Sequence, residues 1–183
     1  SKGGSFYTKG NSMNYPLTDL QVPFYAVETM KQPNGIGGFS QTNYSYNEAL
    51  FHLEGRGFLG FKKVTATNTT LDTKTESLFD IKTTAVGNKT YYFMSKIEDK
   101  QYVLSTNQLL SNTTYNTQFQ NTTGACFFEK INSITQNNTL TGASTTTTNT
   151  YNNNGSVTQQ TVNVNNVEQT TTNTSYTLTA NGL

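Results

Sequence analysis

The chain has no tryptophan, one cysteine (Cys126), one histidine (His52) and three prolines. A lone cysteine closes no intrachain disulfide, and one histidine beside one cysteine cannot assemble a His/Cys/Cys zinc set. Charge is scarce as well, 13% of residues with a net charge of +1. That leaves no basic face of the kind a nucleic-acid partner requires. No apolar run approaches the ~18 residues of a membrane-spanning helix. Carboxylates are too sparse for a calcium loop, and "NNNG" offers amides where such a loop needs several acidic ligands. No catalytic, cofactor-binding or metal-binding residues are therefore expected.

What remains is uncharged, polar and aromatic. Apolar residues make up 33% of the chain, yet 11 Tyr and 11 Phe supply bulk for burial. Thr, Asn, Ser and Gly are indifferent to poor helix formers, while Thr, Tyr, Phe and Val suit a pleated surface. The expectation is an all-β protein, an antiparallel meander of β-hairpins.

Turn chemistry places the hairpins. A strand over Phe24–Gln32 meets a Pro33-Asn34-Gly35-Ile36-Gly37-Gly38 turn and a second strand from Phe39 to about Tyr46. Further pairs are Phe58–Thr67 with Lys74–Lys82, and Thr90–Ile97 with Tyr102–Thr106 around a Glu98-Asp99-Lys100 turn. Ala125–Ile134 is another apolar-rich run. The chain divides at about residue 140. Residues 1–140 carry the richer strands; the composition of residues 141–183 alone would allow a disordered polar tail, but their β-propensity and the Asn152-Asn153-Asn154-Gly155 turn favour Thr/Asn-rich hairpins.

The stretch "YSYNEALFHLEGRGFLGFKKV" stands apart. Its Gly-x-Gly-x-x-Gly spacing is followed by strand-like "FKKVTATNTT", whereas a dinucleotide site needs a helix there. Backbone geometry is the better reading. Gly55 and Gly57 suit positive φ, Gly60 marks a bulge or bend that returns Phe58 and Phe61 to one face, and Arg56 seeks exposed carbonyls or a carboxylate, Glu54 being near. His52 and Cys126 are open to meeting as a nucleophile pair. "GACFFEK" nonetheless reads as an apolar strand with a buried cysteine, and His52 as a cross-strand partner.

"Y-x-Y" running into "GRGFLGF" resembles a segment of Rhs/YD-repeat proteins and of the SpvB-like region in bacterial toxin-complex B components. "TYNNNGSVTQQT" is similar to the YD repeat, with Asn152 in place of the aspartate and Ser156 after the turn glycine. The resemblance implies a fragment of an exported β-sheet shell that encloses or presents an effector, secreted or at the cell surface. It also implies a non-enzymatic role, without the autoproteolytic motif or a toxin domain. Its structural residues are Tyr44, Tyr46, Gly55, Arg56, Gly57, Phe58, Gly60 and Phe61, then Tyr151 and Gly155. The implied partners are other repeats of the same parent chain. "TNTSYTLTANGL" reads as an array cut midway, so self-association through edge strands is expected. A cell-surface β-domain gripping glycans or a host protein through exposed aromatics is the competing expectation.

Overall fold

The structure, a computed structural model, describes residues 6–20, 24–121, 127–165 and 167–173, with residue 121 and the last stretch given by backbone alone. The described residues hold twelve strands and no helix. They are β1 (Tyr7–Thr8), β2 (Leu17–Asp19), β3 (Thr29–Pro33), β4 (Phe39–His52), β5 (Gly57–Asn68) and β6 (Thr73–Val86). Then come β7 (Lys89–Val103), β8 (Leu109–Asn121), β9 (Phe127–Asn138), β10 (Ser144–Tyr151), β11 (Val157–Val164) and β12 (Val167–Asn173). From β4 to β12 each strand pairs with the next in sequence, a meander as expected. On the far side of β4 lie three short strands. β3 pairs antiparallel with Phe39–Asn43, β1 parallel with Tyr46–Asn47, and β2 antiparallel with Leu50–His52.

The chain forms two compact units, Ser1–Ile81 with Phe93–Asn112, and Lys82–Tyr92 with Thr113–Leu183. β6, β7 and β8 each contribute residues to both.

In the first unit the buried apolar side chains are Leu17, Leu20, Ala49 and Leu50, where β2 and its flank lie against the end of β4. Leu20 N–H donates to Ala49 O at 2.8 Å, and Leu53 N–H to Pro16 O at 2.9 Å. These bonds tie the N-terminal segment to the β4–β5 hairpin. Ion pairs run along the sheet: Lys62–Glu48 at 3.2 Å, Lys63–Glu76 at 2.9 Å, Lys96–Asp99 at 3.0 Å and Lys100–Glu98 at 2.8 Å.

Those pairs correct one expectation. Glu98-Asp99-Lys100 is not a turn, because β7 runs unbroken from Lys89 to Val103. Asp99 takes Lys96 and the Ser77 hydroxyl (2.5 Å), and Glu98 takes Lys100, so each charge finds a partner without leaving the strand. The reversal falls later, where Val103 N–H donates to Gln108 O at 2.9 Å. The strand expected over Phe24–Gln32 begins only at Thr29.

Asparagine builds the hairpin ends. Asn34 Oδ1 accepts from the N–H groups of Ile36 (3.1 Å) and Gly38 (2.9 Å). Asn138 Oδ1 accepts from Leu140 (3.0 Å) and Thr141 (3.1 Å), and Asn152 Oδ1 from Asn154 (3.0 Å) and Ser156 (2.9 Å). In each, a side-chain carbonyl satisfies two loop donors that the ladder leaves behind, which is why Asn favours such turns.

The second unit is held differently. From Ile131 to Val167 there is no charged residue. Cross-strand hydroxyl and amide pairs stand where a larger core would put apolar ones. Thr135 meets Thr146 and Thr150 meets Thr158, each at 3.2 Å, and Gln160 Nε2 donates to Asn149 Oδ1 at 3.0 Å.

Candidate functional site

The β4–β5 hairpin turns at Leu53–Arg56, where the sequence predicts special backbone. Gly55 has φ +92° and Gly57 φ +76°, so both occupy the left-handed region that favours glycine. Across the hairpin Leu50 pairs with Gly60 but Phe51 pairs with Phe58, leaving Leu59 as the extra residue of a bulge. Gly60 takes φ +140° there, with the Met94 side chain only 3.3 Å from where a Cβ would stand.

The bulge brings Phe58 and Phe61 to one side, their rings 5.4 Å apart and edge to face. Phe61 is the hub of an aromatic cluster. Tyr46 packs 4.6 Å from it, Phe24 5.6 Å and Tyr7 6.3 Å, and Tyr7 meets Phe24 edge-on at 5.0 Å. The cluster thus joins β1, the segment before β3, β4 and β5. Phe58 shares that side but is half exposed (51%). It forms the lip of an apolar cup of about 280 Å³ lined by Leu20, Phe24, Tyr25, Phe51, Phe58 and Phe61.

Tyr7 and Tyr46 are anchored at their hydroxyls. Tyr46 OH donates to Val27 O at 2.8 Å, and Tyr7 OH lies 3.3 Å from both Leu20 O and Ala49 N. Burial pushes the Tyr7 phenol above its ordinary range, the Ala49 N–H pulls the other way, and Asp19 and Glu48 add to the rise. Burial raises Tyr46 as well. Tyr44, two residues before it on β4, donates its N–H to Glu28 O at 2.8 Å.

Arg56 does not pair with Glu54. Its guanidinium lies 4.3 Å from the centre of the Phe93 ring, and Glu54 instead accepts a hydrogen bond from Tyr15 OH. A planar cation on an aromatic face is a natural alternative at an exposed position, where a carboxylate contact is screened. His52 is buried (6% exposed) and pairs with Leu17 on β2 and Gly57 on β5, the cross-strand position expected of it. Cys126 lies outside the described residues. Among the described residues no group of three or more His, Cys, Asp or Glu side chains is placed to hold a metal ion. No helix among them is long and apolar enough to cross a membrane.

Tyr151 and Gly155 form a second constellation, in the other unit. The β9–β10 ladder is regular from Asn137↔Ser144 to Ser133↔Thr148. Beyond it, side chains take over. Ile131 N–H donates to Tyr151 OH at 3.1 Å, while Ile131 O accepts from Tyr151 OH and from Asn149 Nδ2, both at 2.9 Å. A bulge between Thr150 and Tyr151 accompanies this change. The 152–156 loop then folds back on β9. Gly155 has φ +84°, and a Cβ there would stand 2.8 Å from the Phe128 ring.

The N-terminal aromatics Tyr7 and Phe24 are the site residues that sequence reasoning missed. β1 and β2 span two and three residues, too short for any periodicity to register. No family model, curated protein or solved structure matches the chain.

Proposed function

We propose that this chain is a non-enzymatic wall segment of an exported Rhs/YD-repeat-like β shell, one that encloses or presents an effector. The observation that carries the reading is the combination of long strands with a sparse core. β4 to β9 run 12 to 15 residues each, against about 5–6 for an ordinary strand, and add in sequence order. Yet the buried apolar side chains among the described residues are only Leu17, Leu20, Ala49 and Leu50. A catalytic domain of this length ordinarily builds a packed interior on which to fix a site. A sheet with few buried apolar side chains, ion pairs along its earlier strands and uncharged polar side chains along its later ones suits a partition between two aqueous spaces.

The second constellation supports the YD-like reading despite Asn152. The side-chain oxygen of Asn152 accepts two backbone N–H groups, a task an aspartate carboxylate performs equally well. Among the described residues β12 stands at one end of the strand order, and further repeats of the parent chain would continue from that end. In isolation the same edge would pair with a second copy, and sedimentation of the isolated chain as a clean monomer at high concentration would count against this.

Limited proteolysis of the full parent polypeptide tests the wall role. A segment carried C-terminal to this one should resist protease in the native parent and become cleavable once the β wall is nicked. Equal cleavage rates before and after nicking would overturn the reading. The non-enzymatic role has its own test: His52→Ala with Cys126→Ser should leave the parent's activity intact.

A further inference from the structure

Asn-Gly occurs at Asn34-Gly35, Asn154-Gly155 and Asn181-Gly182, the last outside the described residues. A glycine after asparagine leaves its nitrogen open to the side-chain carbonyl, because no Cβ crowds the approach. The fold treats the two described pairs differently. Three asparagines have Oδ1 held by two loop N–H groups, Asn34, Asn138 and Asn152, and of these Asn34 alone is followed by glycine. Asn34 N–H also donates to Gly38 O at 3.0 Å, which clasps the exposed 34–38 loop. Gly35 takes φ +79°, and nothing beyond its chain neighbours lies within 4 Å of where a Cβ would stand. Among the described residues its N–H has no hydrogen-bond acceptor. Asn154-Gly155 is the reverse. No loop N–H holds Asn154 Oδ1, Gly155 N–H donates to Asn152 O at 3.2 Å, and the Phe128 ring crowds Gly155.

We propose that Asn34 is a site of spontaneous self-modification, in which the Gly35 nitrogen displaces ammonia from the Asn34 side chain. The Gly35 N–Cγ bond forms as the Gly35 N–H proton passes to water. Cγ–Nδ2 then breaks, ammonia leaves, and a five-membered succinimide remains. Water opens that ring at either carbonyl. Addition at Cγ restores the main chain with aspartate at position 34. Addition at the main-chain carbonyl carbon gives isoaspartate, in which the chain runs through the side chain. The balance is one water taken up and one ammonia released. Attack on Cγ places negative charge on Oδ1, the atom at which the Ile36 (3.1 Å) and Gly38 (2.9 Å) N–H groups already point. Two donors aimed at one oxygen stabilise the charge that develops there. An aspartate would keep both bonds. An isoaspartate would insert a methylene into the link between β3 and β4, which pair from Pro33↔Phe39 onwards.

The inference is independent of the wall role. Ageing the intact chain at neutral pH in heavy-oxygen water, with peptide mapping by tandem mass spectrometry, tests it. Asn34 should take up heavy oxygen about tenfold faster than Asn154, a small part of the ~10²–10³-fold that one such donor gives a water-excluded enzyme site, because this loop is exposed. The product at 34 should be a mixture of aspartate and isoaspartate, with Asn138 and Asn152 intact. In denaturant both loops are lost, and the rates at Asn34 and Asn154 should converge. Equal rates in the native chain, or a faster Asn154, would overturn the proposal. So would a native Asn34 that stays intact while the denatured chain converts. A lead for Asn34 that persists unchanged in denaturant would overturn it too, since the sequence and not the loop would then set the rate.

Discussion

Replacing Phe61 by alanine removes the centre of the aromatic cluster, and the structure sets the size of the effect. Full burial would put Phe→Ala at roughly 3–5 kcal/mol. Phe61 is half-buried, which lowers the transfer contribution, but its ring contacts Tyr7, Phe24, Tyr46 and Phe58. Each such pair is worth about 0.5–1.5 kcal/mol beyond area burial, so about 3 kcal/mol is the expected loss. For a chain of 183 residues that lowers Tm by roughly 6–12 °C. Phe58→Ala, on a side chain half in solvent, should cost less than half as much. Phe61→Leu should fall between parent and alanine, restoring apolar volume without the ring pairs. Thermal melts followed by far-UV circular dichroism read all three, and amide exchange on Tyr7 and Thr8 should rise in Phe61→Ala as β1 loosens. Phe61→Ala melting within a degree of the parent, or below Phe58→Ala in its effect, would refute the assignment of Phe61 as the hub.

The two turn glycines should differ in rank. Gly57→Ala meets its nearest neighbour, the Phe51 ring, only at 3.8 Å, so its cost is the positive-φ strain, about 1–3 kcal/mol. Gly155→Ala adds a 2.8 Å clash with Phe128 to the same strain and should melt lower. Arg56→Ala should lose about 0.5–1 kcal/mol through the Phe93 stack, with Arg56→Lys intermediate. A double-mutant cycle with Phe93→Leu should show the two effects coupled, and additive effects would remove that contact from the account. Burial of Glu76 opposes its ionisation, but Lys63 and Lys74 outweigh that and hold its carboxyl below the usual range. A depressed folded pKa adds stability above the unfolded value, and that stability is lost as pH falls through the folded one. Glu76→Gln should therefore destabilise at neutral pH, with the difference from parent vanishing in acid, as denaturant titrations at several pH values would show.

The hairpins most legible in the sequence were those whose turns carry glycine or asparagine. Residues 33–38, 53–57 and 152–156 reverse the chain as their composition dictates, because positive φ and Asx bonding are local properties. Glu98-Asp99-Lys100 was misleading for the opposite reason. Whether a charged triplet lies in a loop or a strand depends on neighbours far away in sequence, here Ser77 at the opposite strand. Arg56 shows the same limit: Glu54 is close in sequence, but Phe93 is close in space. The aromatic cluster was half visible, through Tyr46, Phe58 and Phe61. Tyr7 and Phe24 reach it from segments with almost no regular structure, and nothing local announces their destination.

The unequal sides of β4 bear on how the chain can fold while it is being made. β1, β2 and β3 all precede β4, and their described pairings are with β4 alone, so each waits for its template: β3 for residues 39–43, β1 for 46–47 and β2 for 50–52. From then on the order of synthesis and the order of pairing coincide. β5 can dock on β4 as it emerges, β6 on β5, and so on to β12, each closure spanning one short loop. At every stage the newest strand would be a temporary growing tip with unmet backbone groups, the condition under which nascent sheets aggregate. Hydroxyl and amide side chains dominate the later strands, so a waiting tip there would be well hydrated. The composition that leaves this protein a sparse core would then be the one that lets a long sheet be laid down one strand at a time.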